Sequence, residues 1–374
     1  MAVMFRSALL LTVVAAVAGC GSSATKAPAP LAATELPTGD KLKPWSASQP
    51  SKPWPQAMVQ LGDKVYVALG NLSATDPYLP PAGPGMLVGL VPSTGAQTLI
   101  DLGGADGRQC SNPGSVKADG GKLYVSCGGP FGVATGRALI EVDPSGAGSV
   151  KRVATIPGDF APGPVVVVGN RIWVGDGGSD RVLGFDRGTF TADAAPLSLN
   201  CGTSFPYVPS MLGVGLDLYV LCAASDGYLV RLDATTGAAK GDKVLVGAQP
   251  VALAHTADGR IAVVNSTSGT LSMVTPGTTS MAVAQDVLKF QNSADLEDVR
   301  AFDQFLYIVS ASTQTLIKVD ASTAVPSIRD EVNVNPSGEP NANPTRAEIL
   351  DENTAVVSDS ARGKVIGVRF GLAK

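Results

Sequence analysis

The chain has 374 residues, with 28 Lys and Arg against 32 Asp and Glu, a net charge of −4 at neutral pH, and one histidine. A balance this mild, with no basic stripe, argues against nucleic acid as a partner, and the single histidine excludes a multi-histidine metal centre. Charged residues make up only 16% while 43 Gly and 27 Pro are present, a composition that suits many short strands joined by turns.

Residues 1–19, MAVMFRSALLLTVVAAVAG, combine one positive charge at Arg6 with an apolar run and a small-residue end. This is the pattern of a secretory signal peptide. The apolar run is shorter than the roughly 20 residues a membrane-spanning helix needs. The ending VAGC resembles the lipobox of bacterial lipoproteins. That resemblance implies cleavage before Cys20, diacylation of its sulfur, and anchoring of a mature chain with net charge 27 − 32 = −5. Gly21 rather than Asp follows the cysteine, so the outer membrane is the expected destination within the bacterial cell envelope. Residues 20–54, rich in Pro, Ala, Ser and Lys, read as the lipidated cysteine and a tether. The propeller described next is expected over 55–374. No later segment is apolar and long enough to span a bilayer.

From residue 55 the chain repeats. KVYVALG, KLYVSCG, RIWVGDG, DLYVLCA, RIAVVNS, FLYIVSA and AVVSDSA align on Tyr66, Tyr124, Trp173, Tyr219, Ala262, Tyr307 and Val356, with gaps of 58, 49, 46, 43, 45 and 49 residues. The first and longest gap holds the insertion DPYLPPAGPG. Each copy has an apolar strand before a turn, the aligned strand, and a third strand ending in an acidic turn such as LIEVDPSG or LVRLDATTG. Most copies add a fourth, more polar strand. Four strands repeated seven times predict an all-β, seven-bladed β-propeller of four-stranded antiparallel blades. The seventh copy supplies only three strands, so closure requires a strand from the other end of the chain. The segment between about Leu36 and Ala57 is the expected donor.

VGAQPVALAHTADGRIAVVNSTSGTLSMV, residues 246–274, resembles the YVTN-type repeat of bacterial surface and periplasmic propellers, close to NHL-type propellers. The likeness covers about residues 55–371, and Asn265 is the one match to the repeat's asparagine. The family contains binding and structural proteins and distant enzymatic relatives, so the resemblance implies fold more than function.

The repeat also orders the cysteines. Cys20 apart, Cys110, Cys127, Cys201 and Cys222 remain, and four cysteines allow three pairings. Cys127 and Cys222 each lie three residues after the aligned aromatic. Cys110 and Cys201 each lie in the loop that arrives from the previous blade. In a propeller those two places share a face, which predicts Cys110–Cys127 and Cys201–Cys222 as disulfide staples, each stabilising by about 2–4 kcal/mol.

Candidate chemistry is sparse. His255 lies at the turn end of the fifth inner strand, and no G-x-S-x-G elbow accompanies it. DGGSD places Asp176 and Asp180 in a glycine-rich turn, a weak calcium pattern; otherwise no cofactor is expected. The mouth of the central channel is the favoured place for a ligand. Ten residues before each aligned position stand Gln56, Gly114, Gly163, Pro209, Ala252, Glu297 and Arg346. Glu297 and Arg346 are expected to face one another across about 10 Å, the spacing of packed sheets, with Asp295, Asp298 and Asp359 nearby. Asp176, Asn265 and Asp359 occupy the repeat position that the cysteines hold in other copies. The functional expectation is a monomeric, non-enzymatic binding or scaffold module for an envelope protein, peptide or glycan, with no catalytic residue. The alternative is an envelope hydrolase, lactonase or oxidoreductase with a site in the central funnel, calcium-dependent in one form.

Overall fold

The computed structural model describes residues 33–48, 50–130, 133, 135–202, 205–291 and 295–371. Cys20 and the expected signal peptide lie outside these residues. Seven antiparallel sheets stand around an axis, and their innermost strands are Pro55–Leu61, Pro113–Asp119, Pro162–Val168, Tyr207–Val214, Pro250–His255, Leu296–Phe302 and Pro344–Asp351. Blade 2 shows the plan: Pro113–Asp119, Lys122–Gly128, Arg137–Asp143 and Ser149–Thr155 pair in sequence order from the axis outward. In blade 3 the outer strand is split into Thr191–Ala192 and Leu197–Ser198, both on the third strand.

The aligned aromatics explain the packing. Side chains along a strand alternate between its two faces, and each blade has a neighbour on both. The aligned side chain always goes to the following blade. Tyr66 packs with Leu123 and Val125 of blade 2, Tyr124 with Ile172 and Val174 of blade 3, and Trp173 with Leu218 and Val220 of blade 4. Tyr219, Ala262, Tyr307 and Val356 continue the series around the ring. The hydrophobic interior is thus seven separate layers, one between each pair of blades. Polar tips of the aromatics are satisfied by the next blade: Trp173 Nε1 donates to Ala234 O at 2.9 Å, and the Tyr307 hydroxyl donates to Glu352 O. The acidic ends of third strands hold the next turn. Asp233 Oδ1 accepts from the amides of Thr235 and Thr236, and Asp320 Oδ1 from that of Ser322.

Closure comes from the N-terminal side, as expected, through two residues of the 20–54 segment that stand just before Leu36. Thr34–Glu35 pairs antiparallel with Lys364 and Val365 and is the outermost strand of blade 7. The segment expected as tether is folded from there on. Leu36 and Leu42 are buried with Met58 and Val67 of blade 1 and Val365 of blade 7, Ser51–Lys52 pairs with Leu72–Ser73, and Trp45 Nε1 donates to Gly107 O at 3.0 Å. The reason is the thin apolar face of blade 7, which supplies little to its layer with blade 1; the two leucines complete it. A two-residue strand carries too little periodicity to be read from sequence.

Candidate functional site

One face of the disc carries the loops that arrive at each inner strand and the turns between second and third strands. We call it the upper face. Both disulfides lie there, Cys110–Cys127 and Cys201–Cys222, with Cα separations of 5.5 and 6.2 Å. The pairing expected from the repeat is the one observed.

The same repeat position has other solutions in other blades. In blade 3, Asp176 is 1% exposed. One of its oxygens accepts from the amides of Ala161 and Gly178, and the other from Ser179 Oγ and from Arg181 Nε and Nη2. Arg181 also reaches Asp159, so an ion network ties the incoming loop where blades 2 and 4 use sulfur. In blade 7, Asp359 is fully buried and accepts from the Asn343 amide and from Arg362 Nε. In blade 5, Asn265 is fully buried and donates to Val246 O at 3.1 Å. These three residues are buried and bond neighbouring backbone and side chains instead of joining an exposed polar patch at the mouth. The calcium pattern fits poorly as well. Arg181 occupies the carboxylate face that a cation would need, and Asp180 Oδ2 accepts from the Cys201 amide at 2.7 Å. Among the described residues no group of three or more His, Cys, Asp or Glu is placed to hold a metal ion.

The axis holds a cavity of about 460 Å³, lined by all seven inner strands. Every inner strand bulges one or two residues after its start, between Pro113 and Ser115 in blade 2 and between Leu296 and Asp298 in blade 6, for example. Bulged residues and those that follow them both line the cavity, as Glu297 with Asp298 and Gly114 with Ser115 show. Glu297 is a bulged residue, but Arg346, which also lines the cavity, is not. In blade 7 the first hairpin is one residue longer, so Arg346 pairs opposite Ser358 as Asp298 does opposite Val309. The bulged residue there is Thr345. Counting back from the aligned position hid this shift. Arg346 Nη1 donates to the Glu297 carbonyl oxygen at 2.7 Å and to Thr345 O at 3.0 Å. The guanidinium thus meets the neighbouring backbone rather than the carboxylate, and the expected ion pair is replaced by a stitch between blades.

The stitch is one of several. An innermost strand has one unpaired edge, and its N–H and C=O groups need partners. Asp298 Oδ2 accepts from the Ala347 amide and Arg300 Nε donates to Ala347 O, both at 3.0 Å. Arg300 also pairs with Asp298 at 3.0 Å. Glu348 Oε1 accepts from the Gln60 amide at 3.0 Å, joining blade 7 to blade 1. Ser115 Oγ accepts from the Val165 amide, joining blade 2 to blade 3. Burial raises the Glu348 carboxyl above its ordinary range, opposed by Arg300 and the Gln60 amide.

With the stitches set aside, few channel-lining polar groups remain unengaged. Glu297 is raised by burial, with Arg346 opposing and Asp295 and Asp298 reinforcing. Tyr207 is raised by burial and by Glu297. Lys117 lies in the same cavity. Asp295 sits at the mouth in a left-handed conformation, φ 63°. His255 is exposed at the far end of its strand, on the lower face.

Sequence reading missed the upper face's aromatics. Tyr78, in the blade 1 insertion, is 92% exposed, and Phe205, in the loop entering blade 4, is 96% exposed. Val133, on the same face, is also exposed, while Tyr207 is only partly so and lines the cavity. An aromatic inside a Pro- and Gly-rich insertion was the available signal for Tyr78.

No protein-family model and no curated protein matches the chain in sequence. Solved structures match in fold. A catalytically inactive variant of virginiamycin B lyase from Staphylococcus aureus, with quinupristin, aligns with TM-score 0.62 and 13% identity over 91% of this chain and 98% of that one. A candidate 6-phosphogluconolactonase from Bacteroides uniformis gives 0.64 and 12% over 83% and 93%. The Neurospora crassa Pan2 WD40 domain gives 0.61 and 9% over 92% and 96%. At these identities the likeness is one of fold, shared by enzymes and scaffold domains.

Proposed function

We propose that this chain is a non-enzymatic binding propeller of the bacterial cell envelope, of the YVTN-like kind, held to the membrane by lipid on Cys20 and taking an envelope protein or glycan on its upper face. The observation that carries the reading is the exposure of Tyr78 and Phe205 on that face. Exposed aromatics supply large contact area at low entropic cost and are enriched where partners dock. Two disulfides suit an oxidising compartment outside the cytoplasm, and among the described residues no helix is long and apolar enough to cross a membrane.

The enzymatic alternative draws on the lyase and lactonase likenesses. The lyase was inactivated by replacing a histidine, whereas the one histidine of this chain stands on the lower face, outside the cavity. Most charged groups at the axis are engaged with backbone, which supports a structural role for them. The test is a double substitution, Tyr78→Ala with Phe205→Ala, in the lipidated protein. Association with purified envelope should fall at least tenfold in affinity beyond what the anchor alone supplies, with Tm within about 2 °C of wild type because neither side chain is buried. Unchanged association would defeat the reading. Cys20→Ser should release the protein from membranes, since acyl chains are its proposed hold.

A further inference from the structure

Lys117 stands at the middle of the blade 2 inner strand, paired opposite Tyr124, and Arg300 stands opposite Tyr307 in blade 6. The two hold the same level of the ring, and both line the axial cavity. Arg300 is engaged through Nε, with Asp298 and Ala347 O; its terminal nitrogens hold no bond among the described residues. Lys117 makes no hydrogen bond or ion pair among the described residues, although Glu348 and Asp119 act on it through space. Lys117 is exposed, and the open space it meets is that of the axial channel. Burial and the neighbouring Arg300 both push the Lys117 ammonium below its ordinary range. An ammonium with no bonded partner, beside a second cation, is available to an anion that enters the channel.

We propose that the axial cavity is a binding site for an oxyanion, a carboxylate or phosphate group of a small polar ligand, held between Lys117 and the free guanidinium nitrogens of Arg300. Glu297 lines the same cavity at its mouth and takes a hydroxyl or amino donor of the same ligand. The cavity, at about 460 Å³, holds a molecule of small-metabolite size. This site goes beyond the upper-face reading and stands or falls without it.

The test is thermal denaturation of the soluble domain with inorganic phosphate, and separately with acetate, each against sodium chloride of matched ionic strength. The variants are Lys117→Met and Lys117→Arg. Wild type should gain a few degrees in Tm at about 50 mM of the favoured anion. Lys117→Met should weaken the anion about tenfold or more, as loss of a charged hydrogen bond does, and Lys117→Arg should retain it. Without anion, Lys117→Met should keep Tm within about 2 °C of wild type, because an exposed lysine with no bonded partner holds little of the fold; a structural lysine would instead lower Tm. The larger of the two responses tells which oxyanion is preferred. No response of wild type to either anion, or an equal response of Lys117→Met, overturns the proposal.

Discussion

Asp176 offers the sharpest stability prediction, because two accounts of it diverge. As a clamp, its carboxylate accepts five hydrogen bonds: two from backbone amides, one from Ser179 and two from Arg181. It is 1% exposed. Asp176→Ala leaves Arg181 with Asp159 and the Ser179 hydroxyl and strands the amides of Ala161 and Gly178. Breaking a buried pair by removing one partner costs about 3–5 kcal/mol. At roughly 2 °C per kcal/mol for a domain of this size, Tm should fall by roughly 5–10 °C. Asp180→Ala removes one accepted bond, from the Cys201 amide, and should cost about 1 kcal/mol. As a calcium ligand, by contrast, Asp176 would act with Asp180, and chelation would reproduce both substitutions. The assay is differential scanning calorimetry of wild type and both variants, with and without EDTA. The clamp predicts a large loss for Asp176→Ala, a small one for Asp180→Ala and no effect of EDTA. A wild-type Tm that falls with EDTA, together with an Asp176→Ala variant that falls no further, would refute it.

The joint replacement Cys110→Ala with Cys127→Ala should cost about 3 kcal/mol by loop closure, as should the Cys201 and Cys222 pair; a loss under 1 kcal/mol in chemical denaturation would show that neighbouring packing already fixes the loops. Leu42 is fully buried where the N-terminal segment packs on blade 1, so Leu42→Ala should cost about 2–5 kcal/mol while Lys41→Ala, exposed beside it, changes little; equal effects would mean that this segment does not close the ring. Hydrogen bonds from Ser322, with Arg329, hold Asp320 down to about 2 from an ordinary 3.8. A carboxyl depressed by folding stabilises above its ordinary value, and that contribution is lost as pH falls from about 4 toward about 2. Acid titration of Asp320→Asn should therefore be flatter than wild type in that window.

Much of the fold was legible because it is written seven times. The aligned aromatics carry the period, and they do so for a packing reason: each must fill the layer against the next blade. The disulfides followed from the same register, since Cys127 and Cys222 stand at one repeat position. The mouth was less legible. Arg346 stands one residue past the bulge because the blade 7 hairpin is longer by one, so it lines the channel but turns its guanidinium to the Glu297 backbone. Asp176, Asn265 and Asp359 looked like an exposed polar set, yet their repeat position is the one that ties the incoming loop, where a buried polar side chain does the task of a disulfide. The closing strand, Thr34–Glu35, owes its place to an open edge on blade 7 rather than to its own composition. Lys117 was visible as a charge in the middle of an inner strand, as Arg300 and Glu348 were, but only the hydrogen-bond partners of the other two set it apart.

The most direct test of the central claim is photo-crosslinking in the native envelope. A photoreactive residue is placed singly at Phe205 or Tyr78 on the upper face, and at Leu216 or Val325 on the lower face, where both side chains are also exposed. A discrete adduct is expected from both upper positions and none from the lower ones. Adducts from the lower positions alone, or from all four alike, would contradict it.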